Sequence, residues 1–156
     1  VTCILSRMAL LNAHFLGRYI AMVFQQLQMV TNLSPKQQQG QLAEACALAF
    51  LQQKGLRLIE RNAQYTVGEL DIIMRNDDTL VFVEVRQRKS NLFGGAAHSI
   101  DRRKMKKCAL AAQCWLKQNP QFAKMPCRFD AVLLTGTENN WQIDWIENAF
   151  VFQDVF

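Results

Sequence analysis

The sequence predicts an α/β fold, a sheet flanked by helices, on three observations. Residues 68–89 read GELDIIMRNDDTLVFVEVRQRK, two period-two runs around a polar turn, as a β-hairpin does. Two stretches, 34–54 and 100–118, instead suit helices: the first has helix start and stop signals, the second repeats its apolar residues every three or four positions. A third segment, RFDAVLLT at 128–135 followed by 141–146, reads as a last strand pair across a turn at 136–140.

Taken in order, residues 1–33 carry an amphipathic stripe of Ile4, Met8, Leu11, Phe15, Tyr19, Val23, Leu27 and Val30. Asn12, His14, Arg18 and the Gln25-Gln26 pair interrupt it well short of the roughly 20 apolar residues that a membrane span needs. No small-residue cleavage site follows it. It is expected to be an extension outside the core, with one domain over 34–156.

Ser34 and Pro35 read as the N-cap and first position of a helix, and Gly55 as the residue that ends it. Leu42, Cys46, Ala49 and Phe50 run along that helix, alanines at 43, 45, 47 and 49 give it a small-residue surface, and Glu44 is its sole acid. A strand is expected at 56–61 and a loop at 62–67. In the hairpin, Leu70, Ile72 and Met74 are expected on one face, with Asp71 and Ile73 on the other. Val81, Val83 and Val85 should oppose Phe82, Glu84, Arg86 and Arg88. A loop over 90–97 contains Gly94-Gly95, and His98 reads as a loop residue. Ser99 is the expected cap of the second helix, whose inner face is Met105, Cys108, Ala109, Ala112, Trp115 and Leu116. The segment 148–156, with three phenylalanines, is expected to pack on the core.

The composition narrows the function. At 156 residues, half of them apolar and a fifth charged, the chain suits one globular domain. Five cysteines without a CxxC pair fit ordinary thiols in a reducing compartment, hence a cytoplasmic location. The net charge of +5 is unevenly placed. Between Arg86 and Lys107 lie eight basic residues and one acid, Asp101, a segment of net +7 that leaves −2 for the remainder. Arg88, Lys89, Arg102, Arg103, Lys104, Lys106 and Lys107 are therefore candidate contacts to a polyanion such as nucleic acid. The hairpin brings Asp71 and Glu84 together on one sheet face, and buried carboxylates of this kind require a cation or a paired base.

The order GELDII, LVFVEVRQR, RFDAVLL, IENAF resembles the YraN family of small bacterial proteins, over about residues 40–150. That family is similar in turn to archaeal Holliday-junction resolvases and to the restriction-endonuclease-like nucleases. The resemblance implies a restriction-endonuclease-like central mixed sheet flanked by helices, with a site of the PD-(D/E)xK type. Carried over, Asp71 matches the first aspartate, Glu84 the second acid, Arg86 the usual lysine and Glu44 the acid of the first helix. Lys104 falls where the family tends to have a basic residue on the second helix. Asp71, Glu84 and Glu44 would then hold Mg²⁺ or Mn²⁺, with Arg86 completing the catalytic set. The implied activity is metal-dependent phosphodiester hydrolysis on nucleic acid, DNA first, in structured or branched form; a homodimer is compatible with it. Arg86 departs from the pattern, because a guanidinium stays protonated and cannot serve as a base. The alternatives are a nucleic-acid-binding protein with little or no cleavage, and an interaction module whose carboxylates simply pair with Arg86 and Arg88.

Overall fold

The computed structural model describes residues 34–88, 101–137 and 140–152. In chain order they form α1 (Pro35–Gln53), β1 (Arg57–Tyr65), β2 (Gly68–Asn76), β3 (Thr79–Arg88), α2 (Arg102–Gln118), a 3-10 turn (Pro120–Phe122), β4 (Cys127–Thr137) and β5 (Asn140–Phe150). The chain divides into the units Val1–Gln38 and Gln39–Phe156, and the whole sheet lies in the second. The expected extension over 1–33, Lys89, the Gly94-Gly95 loop, His98 and Ser99 lie outside the described residues.

The strands form one five-stranded sheet in sequence order, β1-β2-β3-β4-β5. The first three are antiparallel, β4 runs parallel to β3, and β5 returns antiparallel to β4. This is the mixed sheet that the resemblance implies. A parallel neighbour needs a long crossover, and α2 lies in that connection. The β2–β3 turn is tighter than the four-residue turn expected, since Asn76 pairs with Thr79 and only Asp77-Asp78 lies between. Asp77 takes a positive φ of 50° there, which aspartate tolerates better than most residues.

Three boundaries differ from the sequence reading. β1 does not stop at Arg61 but continues to Tyr65, with a single left-handed residue, Asn62 (φ 53°), inside the strand. A polar Asn-Ala-Gln run reads as loop, yet pairing with β2 carries it through. β5 extends to Phe150, so part of the expected terminal segment is sheet. On α2 the cap is Asp101, whose carboxylate accepts a hydrogen bond from the Arg103 amide at 3.1 Å. On α1 the expected signals hold. Ser34 Oγ accepts from the Gln37 amide, and the Gln37 side chain accepts from the Ser34 amide, a reciprocal cap. Gly55 ends the helix at φ 94°, and the Leu56 amide donates back to the Leu51 carbonyl.

A core layer lies on each face of the sheet. On the α2 face, Phe82, Phe129 and Phe150 occupy matching register positions on β3, β4 and β5 and stack at 5.4 and 4.6 Å between ring centres. Trp115 of α2 meets Phe82 edge-on at 6.0 Å, and its ring N–H donates to Glu60 at 2.7 Å. On the other face, Ala43, Ala47 and Leu51 of α1 join a cluster with Ile72, Met74, Val81, Val83, Val132 and Leu134. The buried stripe of α1 is thus i, i+4, i+8 from Ala43, and Leu42 and Ala49, expected along it, point to solvent. Ala43 and Ala47 are the small residues of that stripe, and Leu51 is its large one. On the α2 face the backbones come close at Gly68: a Cβ there would stand 2.6 Å from the Lys107 carbonyl oxygen, so the β1–β2 turn rests on the backbone of α2.

Candidate functional site

The carboxylates gather where the hairpin ladder ends. Cross-strand pairing of β2 with β3 runs from Asn76–Thr79 to Ile72–Val83 and does not continue to Asp71. There the Val85 amide donates instead to the Asp71 carboxylate, at 2.8 Å. A side chain has taken the place of a ladder bond. The alternation of β2 shifts at this point: Leu70 packs with Ile73 and Phe82 on the α2 face, not with Ile72 and Met74 as alternation predicts. Asp71 is consequently buried yet senses charges from both flanking helices, Glu44 of α1 and Lys104 of α2.

Glu84 follows Phe82 on β3 and is only 2% exposed. The Lys104 ammonium reaches from α2 to its Oε1, and Arg86 Nε lies 3.2 Å from the same oxygen. The Arg86 contact is an ion pair and not an aligned hydrogen bond, since the geometry leaves Arg86 Nε without a directed partner. Glu44 is flanked by Arg61 of β1 at 3.8 Å and faces Asp71 electrostatically. Arg61 is a member of the cluster that sequence reasoning missed, because it falls on a strand end read as ordinary.

Burial sets the acidity of the group. It raises all three carboxyls, Glu44, Asp71 and Glu84. The Asp71 charge raises Glu44 and Glu84 further, whereas Lys104 and Arg86 act against the rise at Glu84, which is pushed up to about 7. At Asp71 the Val85 amide and then Lys104 oppose burial. All three carboxyls are thus held above their ordinary range, chiefly by desolvation, which favours any nearby positive charge. Lys104 supplies one such charge.

Of the residues singled out in the sequence, Glu44, Asp71, Glu84, Arg86 and Lys104 come together. The basic block is not uniformly exposed. Lys104 lies on the inward stripe of α2 with Cys108 and is half-buried, whereas Arg102, Arg103, Lys106 and Lys107 are exposed. Arg88 stands further along β3, opposite Thr135, and Lys89 is outside the described residues.

A second buried aspartate shows the contrast. Asp130 of β4 accepts from Arg128 Nε at 3.1 Å, the Trp145 ring N–H at 3.1 Å and the Asn148 amide at 3.0 Å. Those donors tie the start of β4 to β5, and Asn148 holds a positive φ of 50°. Asp130 is a strut, satisfied by its neighbours.

Among the described residues no three His, Cys, Asp or Glu side chains form a ready-made metal cage. Magnesium needs no such cage, as it keeps several waters and takes one or two carboxylates. Asp71 and Glu84 are chemically suited to that role, and so is Glu44, whose Oε2 is buried without a hydrogen-bond partner. No helix among the described residues is long and apolar enough to cross a membrane.

Comparison with known proteins agrees with the motif order. The model of the uncharacterised protein family UPF0102 matches residues 43–134, a span from α1 to β4 that contains all three carboxylates. A UPF0102 protein of Stutzerimonas stutzeri is 48% identical over 118 residues, covering 76% of this chain and 98% of that protein. One from Xanthomonas euvesicatoria is 49% identical over 119 residues (76% and 96%), and one from Pseudomonas savastanoi 48% over 118 (75% and 96%). The four sequence motifs, the carboxylate cluster they fold into and the near-complete coverage of these relatives all lead to one assignment: the chain belongs to the UPF0102 family, the YraN proteins.

Proposed function

We propose that this protein is a metal-dependent nuclease-like protein that acts on the phosphodiester bonds of nucleic acid, DNA first. The observation that carries the reading is the buried carboxylate cluster at the broken end of the β2–β3 ladder, with Arg86 and Lys104 against Glu84. Asp71 and Glu84 would hold a divalent cation, with Glu44 as the third acid. The cation would supply Lewis-acid polarisation of a phosphoryl oxygen and a hydroxide nucleophile at neutral pH. The protein's own groups do the rest. The Val85 amide fixes the Asp71 carboxylate in orientation. The Arg86 guanidinium would bind a phosphate oxygen and stabilise the charge that grows on it. Lys104 brings a second cation from the opposite element, so the scissile phosphate would be held between β3 and α2.

One observation favours a second reading, a binding protein without cleavage. Arg86 replaces the lysine of the nuclease pattern, and Arg86 with Lys104 already neutralises Glu84. Purified protein assayed on linear, flapped and four-way-junction DNA, with and without Mg²⁺ or Mn²⁺, separates the two. Cleavage that requires metal and is abolished in Asp71→Asn supports the nuclease. Tight binding of the same substrates without cleavage supports the binding protein. Calorimetry that finds equal Mn²⁺ affinity in wild type and Asp71→Asn would remove the metal site from both.

A further inference from the structure

Between the β1–β2 turn and the first turns of α2 lies a cavity of 680 Å³. Tyr65, Glu69, Arg103, Lys104 and Lys107 are in its wall. Lys104 belongs to two places at once, because its ammonium also contacts Glu84. The cavity therefore adjoins the carboxylate cluster. Sequence reasoning gave it no weight, since it joins a turn and a helix far apart in the chain.

We infer that this cavity receives one unpaired nucleotide of a nucleic-acid strand, beside the phosphate presented to Asp71 and Glu84; the inference rests on the nucleic-acid reading of that cluster. Its volume falls within the roughly 300–1,000 Å³ of small-ligand sites, ample for one nucleotide and far too small for a duplex. The wall has a part for each portion of the ligand. Arg103 and Lys107 are exposed and, among the described residues, in no ion pair, so both are open to a phosphate. Tyr65 lies in the wall, packed on one side against the core cluster and bonded through its hydroxyl to Gln118 Oε1 at 3.2 Å, and is the aromatic group against which a base of any identity would stack. Glu69 is the feature that rejects a bare phosphate. A carboxylate in the wall repels a simple anion but accepts from the exocyclic amino group of a base. The second carboxylate, Asp101, is already engaged in capping α2. A base stacked inside a duplex cannot enter without being unpaired and turned out, at a cost of a few kcal/mol. The substrate class is accordingly DNA or RNA with an unpaired segment, such as a flap, gap or open junction.

The test is fluorescence anisotropy of the full chain with a short labelled single strand and with the blunt duplex of the same sequence. Both are measured in EDTA, so that no cleavage intervenes. The single strand should bind about tenfold more tightly or better. Tyr65→Ala should weaken single-strand binding by about tenfold, the effect of removing one stacked base, and Tyr65→Phe should restore it. Lys107→Ala, at an exposed position, gives an independent variant should Tyr65→Ala unfold; it should also reduce single-strand affinity. Equal affinity for the two forms overturns the inference, as does unchanged single-strand affinity in a folded Tyr65→Ala or Lys107→Ala. Cleavage is read separately with Mn²⁺. Single-strand selectivity without cleavage upholds the cavity and removes only the nuclease; cleavage without selectivity does the reverse.

Discussion

Glu84 has a pH dependence whose sign is fixed by its surroundings. Burial, then the Asp71 charge, push its carboxyl from 4.5 to about 7, against Lys104 and Arg86. The folded chain keeps a proton there that the unfolded chain has already released. Its contribution to stability is fully present below about pH 4.5 and is lost as pH rises through about 7. Glu84→Gln stays neutral throughout, so in metal-free buffer it should gain on wild type across that window, by up to about 3 kcal/mol. Urea unfolding of both proteins at several pH values measures the difference, and a constant difference would refute the assignment. Saturating Mn²⁺ should flatten the wild-type dependence, because a bound cation displaces the proton. Part of the candidate site at this scale was legible in the sequence: Asp71 and Glu84 stand out as acids among apolar strand residues, whereas Glu44 entered only through the family resemblance. Asp130 shows the limit of that signal. GELDII and RFDAVLL both place one aspartate in an apolar strand, and only the donors around each tell them apart: Asp130 is held by three residues, Asp71 by the Val85 amide.

At the scale of elements, Gly68 is where a single methyl group should do the most damage. A Cβ there would press on the carbonyl of Lys107, which is backbone and cannot swing aside. Gly68→Ala should cost about 1–3 kcal/mol and move the β1–β2 turn away from α2. Denaturant unfolding checks the cost; a variant as stable as wild type would show that the backbone of α2 yields freely. The elements themselves were readable where a strong local signal existed. The Ser34-Pro35 start and Gly55 stop of α1 and the period-two hairpin are of this kind. The reading failed where tertiary pairing overrides local preference: Asn62 sits in a strand although its run looks like loop, and β5 carries on past Asn148. The phase shift at Leu70 was invisible for a different reason. It exists because the β2–β3 ladder stops and Asp71 bonds across the gap, an event of pairing and not of periodicity.

For the whole molecule, the charge distribution predicts how binding responds to salt. Lys104 faces inward to Glu84, so the exposed pair Arg102 and Lys106, one helical turn apart, is the better probe of the outer surface. If both meet phosphates, the Arg102→Ala, Lys106→Ala double variant should flatten the plot of log affinity against log salt on duplex DNA, by about 0.9 for each phosphate no longer neutralised. Parallel plots would mean a solvated helix face. The parallel β3–β4 pairing has a consequence of another kind, in the order of folding events. The β2–β3 hairpin joins neighbours in sequence and closes within microseconds, whereas Leu80 meets Cys127 only after the intervening chain with α2 has folded back. Asp71 and Glu84 would thus be assembled early, and the cation that offsets them would arrive last. Lys104→Met should then accelerate unfolding while leaving the refolding rate nearly unchanged, as expected of an interaction made after the rate-limiting barrier. Stopped-flow chevrons read both limbs directly, and a slowed refolding limb would instead put the docking of α2 before that barrier.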